Sequence, residues 1–300
     1  VKRKYNKIAV LMGGPSAERE ISLISGAAVS KGLCEAGYDV IDVDVTGYDP
    51  VLPAECEAAF IALHGTFGED GTVQDILERR GVPYTGPGPK ASRISFDKRL
   101  FKEHMQQAGI PVPDYEIITK ASQRTLPLPV VTKPLCQGSS LGVHRVVREP
   151  EWAAAFAATQ EYGTEVMVET LVDGRELTVG IVDRQVLPIV EIRAPDGDYN
   201  YAAKYTSGQT QYVVPAELPD ACVQACRDFA WRAYNAIACR GMSRFDFRMS
   251  GDGNPWLLEN NTIPGFTPTS LLPKAAAAAG ISFTELCRRI MEQACVDAMR

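Results

Sequence analysis

Arg244-Phe245-Asp246 and, further on, Glu259-Asn260-Asn261 form the sharpest constellation in this chain of 300 residues. Alternate residues of a strand share a face, so Arg244 and Asp246 point one way, as Glu259 and Asn261 do on a following strand. If the two strands pair, oxygen donors and a guanidinium crowd one surface. Hard oxygen ligands of this kind suit Mg²⁺, which also keeps waters and nucleotide phosphates. A solvated polar face with a surface ion pair would explain the same residues in isolation. The neighbours Phe245, Phe247 and Trp256-Leu257-Leu258 read as buried, and there uncompensated carboxylates are costly, which favours a metal site.

Lys133-Pro134-Leu135-Cys136-Gln137-Gly138-Ser139-Ser140-Leu141-Gly142 reads as a strand delivering a lysine into a glycine- and serine-bearing loop. Backbone N–H groups and hydroxyls there can wrap phosphate oxygens while the lysine supplies charge. A Walker A motif is excluded, since it needs GxxxxGK[ST] leading into a helix. A serine-rich hairpin turn stays open as the plainer reading. Gly13-Gly14-Pro15-Ser16-Ala17-Glu18 joins a strand to a helix without the GxGxxG of a dinucleotide site. Glu18 offsets the helix dipole or faces a ligand at the carboxyl end of the sheet. His64, after a later strand, occupies the equivalent place, where a lone histidine is usually structural.

These residues need elements to hold them. Over roughly the first 90 residues strand and helix signals alternate: Ile8–Met12, a helix with Ile21, Ile24 and Ala28 on one face, Val40–Val45, Ala58–Leu63, and a helix Thr72–Arg80 closed by Gly81. Such alternation predicts a parallel sheet covered by helices. Pro83, Pro87 and Pro89 mark a boundary. One helix from Phe96 to Ala108 follows, then strands Pro129–Lys133, Gly142–Val147 and Glu165–Thr170 with a helix near Glu151–Thr159. A third section opens with a hairpin, Glu176–Val182 and Gln185–Arg193, then a polar loop, a helix Glu217–Ala238, strands Met242–Met249 and Trp256–Asn260, and two terminal helices. The expected units are 1–90, 91–175 and 176–300, with a loop at about 195–212.

A net charge of −6 and a pI near 5.3 argue against nucleic acid or an anionic membrane as partner, so an anionic substrate must meet local basic residues. No apolar run reaches the length of a membrane span, and no signal-peptide pattern opens the chain. The eight cysteines include no CxxC, which fits incidental or buried thiols in a reducing cytosol. The chain opens at Val1, as a trimmed start or a piece of a longer protein would.

In order along the chain, LMGGPSAEREISLISG, FIALHGTFGEDGTVQDIL, PYTGPG, FDK, KPLCQGSSLGV, GRELTVGIV, AAKYTSGQTQY, SRFDF and LLENNTIPGFTPTSLLP resemble the ATP-grasp superfamily and, within it, the D-alanine–D-alanine ligase family. The likeness spans nearly the whole chain. It implies an α/β fold, α+β in parts: an N-terminal Rossmann-like parallel sheet followed by two ATP-grasp subdomains with ATP between them. It further implies that Lys98, Lys133 and Lys204 contact phosphates, that Glu169 reads the adenine amino group, and that Glu176 reads the ribose. Asp246, Glu259 and Asn261 match ligands for Mg²⁺, two ions in the family, with Mn²⁺ as a substitute. Glu18 would hold the ammonium of the first D-alanine, linked to Ser139 and Tyr205. Arg244 and the Gly265 N–H would bind an oxyanion, Ser270 and Leu271 the second carboxylate, and His64 the substrate.

The implied reaction joins two D-alanines for peptidoglycan precursor synthesis in the cytoplasm, by a homodimer. Sister ligases that use D-serine or D-lactate are the alternative. Relatives that make the ester with D-lactate carry phenylalanine where this chain has Tyr205. A nucleotide-binding protein without catalysis would have lost a metal ligand or a phosphate lysine, and none is missing. The departures are Thr132 where an aliphatic residue is common, Cys136-Gln137 in the loop, Thr262-Ile263, and a short stretch from Thr119 to Pro129.

Overall fold

The computed structural model describes residues 3–194 and 210–297. Three strands, β1 (Lys7–Gly13), β2 (Asp39–Val45) and β3 (Ala58–Ile61), form a parallel sheet in the order β2-β1-β3. Ile8 to Leu11 are fully buried, as the central strand of a covered parallel sheet requires. α1 (Arg19–Glu35) overturns the expected face, for Ile24 is 57% exposed while Ser22, Ser25, Gly26, Val29 and Leu33 are buried. The cause is close approach. A Cβ at Gly26 would overlap Met12, and one at Gly32 would press on Cys287 and Phe283. Small residues therefore share the packing face with Val29 and Leu33, and Ile24 is left outside it. α2 (Thr72–Arg80) ends at the left-handed Gly81, as expected.

The helix expected from Phe96 to Ala108 is α4 (Lys98–Gln107), and an unexpected helix, α3 (Pro89–Phe96), precedes it in the stretch read as a boundary. Asp97 separates them, because its extended backbone lets the carboxylate accept from the Arg99 and Leu100 N–H groups at 2.9 and 3.2 Å. The cap fixes Lys98 as the first helical residue. A second, antiparallel sheet has the order β4-β7-β5-β6, from β4 (Tyr115–Ile118), β5 (Val130–Pro134), β6 (His144–Val146) and β7 (Val166–Thr170). β4 was not anticipated. α5 (Glu149–Gln160) packs Trp152 and Phe156 with Val130 and Val168 in a small core of its own.

The third sheet is also antiparallel, in the order β11-β10-β8-β12-β13. Its strands are β8 (Gly174–Val182), β9 (Gln185–Val186, paired to β8), β10 (Val190–Arg193), β11 (Gln211–Val213), β12 (Met242–Ser250) and β13 (Pro255–Asn261). Pro188 interrupts what had been expected as one strand, since it has no N–H for the ladder. Phe245, Phe247, Leu177 and Leu257 alternate onto one face, where α3, α4 and α6 (Asp220–Ala236) cover them. The other face carries Glu176, Thr178, Arg244 and Asp246, while its Val182, Val190, Ile192 and Met242 join the core of the first sheet. α7 (Leu271–Ala278) and α8 (Phe283–Glu292) return to the first sheet, whose core takes in Leu272, Leu286 and Ile290. No helix among the described residues is long and apolar enough to cross a membrane.

Candidate active site

Pairing of β12 with β13 brings the sequence constellation together. Arg244 lies opposite Asn261 and Asp246 opposite Glu259, with Thr178 of β8 flanking Asp246 on its other side. Asp246 accepts from Arg244 Nε and Nη2 (2.9 and 2.7 Å), from the Thr178 hydroxyl (2.6 Å) and from Asn261 Nδ2 (2.9 Å). In this state the Arg244 fork engages Asp246. Glu259 faces Lys98, 3.7 Å away, whose ammonium also donates to the Gln137 carbonyl oxygen at 2.7 Å. The donor set of Asp246, Glu259 and Asn261 offers only oxygen among its ligating atoms, two of the groups being carboxylates. That chemistry fits a hard divalent cation.

Across from this face stands the second sheet, and between the two lies a cavity of ≈ 860 Å³ open to solvent. Lys133 and Glu169 reach it from the second sheet, Glu176, Asp246 and Glu259 from the third, and Lys98 from the start of α4. Glu176 pairs with Arg248 at 3.3 Å. The unusual Thr132 points the other way, toward α5, where its hydroxyl meets that of Thr159 at 2.7 Å. The departure therefore leaves the cavity wall unchanged. Glu169 is bound on one oxygen by Lys133 and on the other by Lys102, which is entirely buried. Burial alone would push Glu169 up, but the Lys102 and Lys133 charges together hold it below the usual carboxylate range.

A smaller space of ≈ 350 Å³ adjoins, sharing Lys98, Gln137 and Glu259 and reaching Gly138 and Glu69. Here the loop between β5 and β6 meets the first sheet, and the Ser139 hydroxyl donates to Glu18. Gly65, after β3, takes a left-handed backbone (φ +71) that favours glycine, and a Cβ there would lie 2.6 Å from Glu18 Oε2. Ser139 and Ser140 are both left-handed, with φ of 51° and 59°. The Ser16 hydroxyl donates to the His64 carbonyl oxygen (2.7 Å) and accepts from the Glu18 N–H (3.1 Å), which fixes the turn that carries Glu18.

His64 itself is buried. Its Nδ1 lies 3.1 Å from the Ile263 carbonyl oxygen and its Nε2 2.9 Å from the Ser25 hydroxyl. Burial lowers its pKa to about 4, so the ring is neutral, donating from Nδ1 and accepting at Nε2. Glu69 accepts from the Gly65 N–H at 2.7 Å, and burial followed by the charge of Glu18 pushes its carboxyl up to about 8.

Gly265 lies beside Ser270, which caps α7 and accepts from the Thr267 N–H at 3.0 Å. Leu271 is the first residue of that helix and buries its side chain, leaving its backbone as the group it can offer. Lys204 and Tyr205 lie outside the described residues. The sequence reading passed over Lys102, Glu69, Thr178 and Arg248. Only Arg248 carried a signal, the period-two extension of Arg244 and Asp246 along β12.

Comparisons with known proteins agree along the whole length. The family models described as D-ala D-ala ligase N-terminus and D-ala D-ala ligase C-terminus match residues 47–87 and 104–292. A D-alanine–D-alanine ligase of Syntrophotalea carbinolica is 47% identical, with 96% of each chain covered. One from Anaeromyxobacter sp. strain K is 44% identical over 97% of this chain and 98% of its own. Among solved structures, a D-alanine–D-alanine ligase from Bacillus anthracis complexed with ATP superposes with a TM-score of 0.82 at 31% identity, covering 96% of this chain and 97% of that one. The VanG D-Ala:D-Ser ligase of Enterococcus faecalis gives 0.82 at 28% identity, over 96% and 99%.

Proposed function

Since the chain belongs to the D-alanine–D-alanine ligase family, of ATP-grasp fold, and joins two D-alanines into a peptidoglycan precursor at the expense of ATP, we propose that it does so through an acyl phosphate formed between its second and third sheets. A carboxylate is a poor electrophile. The first D-alanine therefore attacks the γ-phosphate with its carboxylate, and the amine of the second then displaces phosphate through a tetrahedral intermediate. Both steps gather negative charge, and fixed positive groups stabilise it in place.

Lys98 and Lys133 serve the phosphates, joined by Lys204; Glu169 accepts from the adenine amino group and Glu176 from the ribose. Asp246, Glu259 and Asn261 would hold Mg²⁺, which supplies positive charge against the phosphate oxygens. Glu18 binds the ammonium of the first D-alanine and is steadied by Ser139 and Tyr205. Arg244 and the Gly265 N–H receive the oxyanion, while Ser270 and the Leu271 backbone, at a helix N-terminus, receive the second carboxylate. His64, neutral and held at both nitrogens, shapes the substrate pocket. Residues 1–90, 91–175 and 176–300 act as three units, and the protein works in the cytoplasm as a homodimer.

One observation carries this reading: the facing of Asp246 and Glu259 across paired strands, with Lys98 and Lys133 on the same cavity. Phosphate release from ATP should require Mg²⁺ and D-alanine together and should not occur with L-alanine. Equal turnover of both enantiomers rejects it. Mass analysis after competition among D-alanine, D-serine and D-lactate identifies the second substrate, and D-alanyl-D-alanine should dominate.

A further inference from the structure

Lys102 has no part in the steps above, yet it is a fully buried charged side chain set directly behind Glu169, which lines the cavity. It lies one turn after Lys98 on α4, against the Tyr115 ring at 5.7 Å, and its ammonium grips one oxygen of Glu169 while Lys133 grips the other. The two lysines differ in freedom. Lys133 stands at the cavity wall with 12% of its side chain exposed, whereas Lys102 is sealed behind Glu169. Two ammonium groups on one carboxylate leave a surplus positive charge. A buried lysine with no substrate to touch is costly unless its partner needs it.

We propose that Lys102 is a positioning residue for nucleotide binding: it remains on Glu169 when Lys133 leaves for the phosphates, so that Glu169 stays a carboxylate able to accept from the base. The inference rests on reading the cavity as the ATP site. Without Lys102, release of Lys133 would strand a buried carboxylate, and Glu169 would have to take a proton from solvent as the nucleotide entered. Lys102 and Lys133 are the charges that face Glu169. Lys102 in turn faces Glu169 and, farther off, Lys133 and Glu259. Other charged groups around the cavity are Lys98, Arg145, Glu176, Asp246 and Arg248. Burial pulls Lys102 below the ordinary ammonium range and Glu169 pulls it part of the way back, in keeping with a pair that is stable only together.

The test is calorimetric titration of the whole chain with ADP and with a non-hydrolysable ATP analogue. It is run at constant Mg²⁺, in buffers of different ionisation enthalpy, from pH 6 to 9. In the parent, affinity should vary little with pH for this group. In Lys102→Met it should fall at least tenfold at pH 8, recover as pH is lowered, and be accompanied by uptake approaching one proton per nucleotide. Lys102→Arg should restore the parent profile. A folded Lys102→Met with the parent's pH profile and proton count overturns the proposal.

Should Lys102→Met fail to fold, the comparison of Glu169→Gln with Lys102→Met/Glu169→Gln decides, because the double variant leaves no buried charge stranded. If Lys102 acts only through Glu169, the second substitution changes affinity by less than twofold; a further tenfold loss overturns the inference. A parent that binds neither nucleotide would instead bring down the reading of the cavity, and this inference with it.

Discussion

Glu169, at the larger cavity between the second and third sheets, and Glu69, at the adjoining space beside the first sheet, are two carboxyl groups of one cleft. Glu169 meets two lysines and is held ionised; Glu69 meets another carboxylate, Glu18, and is pushed up to about 8. Burial acts on both in the same sense, so the neighbours decide the outcome. The larger cavity is thus furnished with positive charge in advance, which on the proposed reading serves a triphosphate. The end near Glu18 gathers carboxyl groups instead, which on the proposed reading serve an ammonium group. A single cleft can take polyanion and cation side by side because the two sets of partners come from different sheets.

The contrast can be broken from either end. Glu259→Gln should have the largest effect, a loss of turnover of about a thousandfold or more with the fold intact, since it removes the partner of Lys98 and, on the proposed reading, a cation ligand. Phosphate release beside a circular-dichroism spectrum checks this, and retained activity would take Glu259 out of the site. Glu18→Gln should cost roughly a hundredfold in kcat/KM for D-alanine, because the bound amino acid is then misplaced. The KM for ATP should move much less. Equal shifts in both would mean that the two ends do not divide the work as described.

The third prediction concerns His64. Its pKa is about 4 in the folded chain against an ordinary 6.5. Below 6.5 the unfolded chain takes up a proton that the native one refuses, so stability falls as pH drops from 6.5 to 4 and levels off beneath that. The loss is about 3 kcal/mol at 1.36 kcal/mol per pH unit. Denaturant melts of the parent and His64→Gln should show this slope in the parent alone. At Glu69 the sign reverses. Its pKa is raised, so the parent loses stability as pH climbs from the ordinary 4.5 toward 8. Glu69→Gln should lack that loss and melt above the parent at pH 8.5. A melting difference that is flat with pH would mean that Glu69 is not a held acid.

Much of the nucleotide end was legible from residue types alone. Period-two spacing put Arg244, Asp246, Glu259 and Asn261 on one face before any pairing was known, and the observed register is the one that spacing demands. The Glu18–Ser139 bond joins residues 121 apart in the chain, and nothing local announces it; only the family likeness did. Lys102 was illegible because a lysine in an amphipathic helix ordinarily marks the wet face. Glu69 was hidden for a similar reason, as an acid in a glycine-rich turn usually lies in solvent. The miss on α1 has its own cause. Large apolar residues signal a buried face only where the neighbours leave room for them, and against Met12 they do not. α3 went unseen because Pro87 and Pro89 with Gly86 and Gly88 read as a break, although proline suits the first turn of a helix.

α7 and α8, the last helices of the chain, complete the core of the first sheet, and Tyr84 bridges Cys295 beside them while Arg240 pairs with Asp297 at 2.9 Å. Manufacture of the protein therefore has a deadline. Until synthesis is nearly complete, Phe60 lacks the Phe266 and Phe283 rings that pack beyond it, so the emerging chain must be tolerated half-built. A fragment cut near residue 90 should precipitate unless residues 271–297 are supplied alongside it. Joining that tail to the front of the chain by a short linker should let the first unit be made by itself.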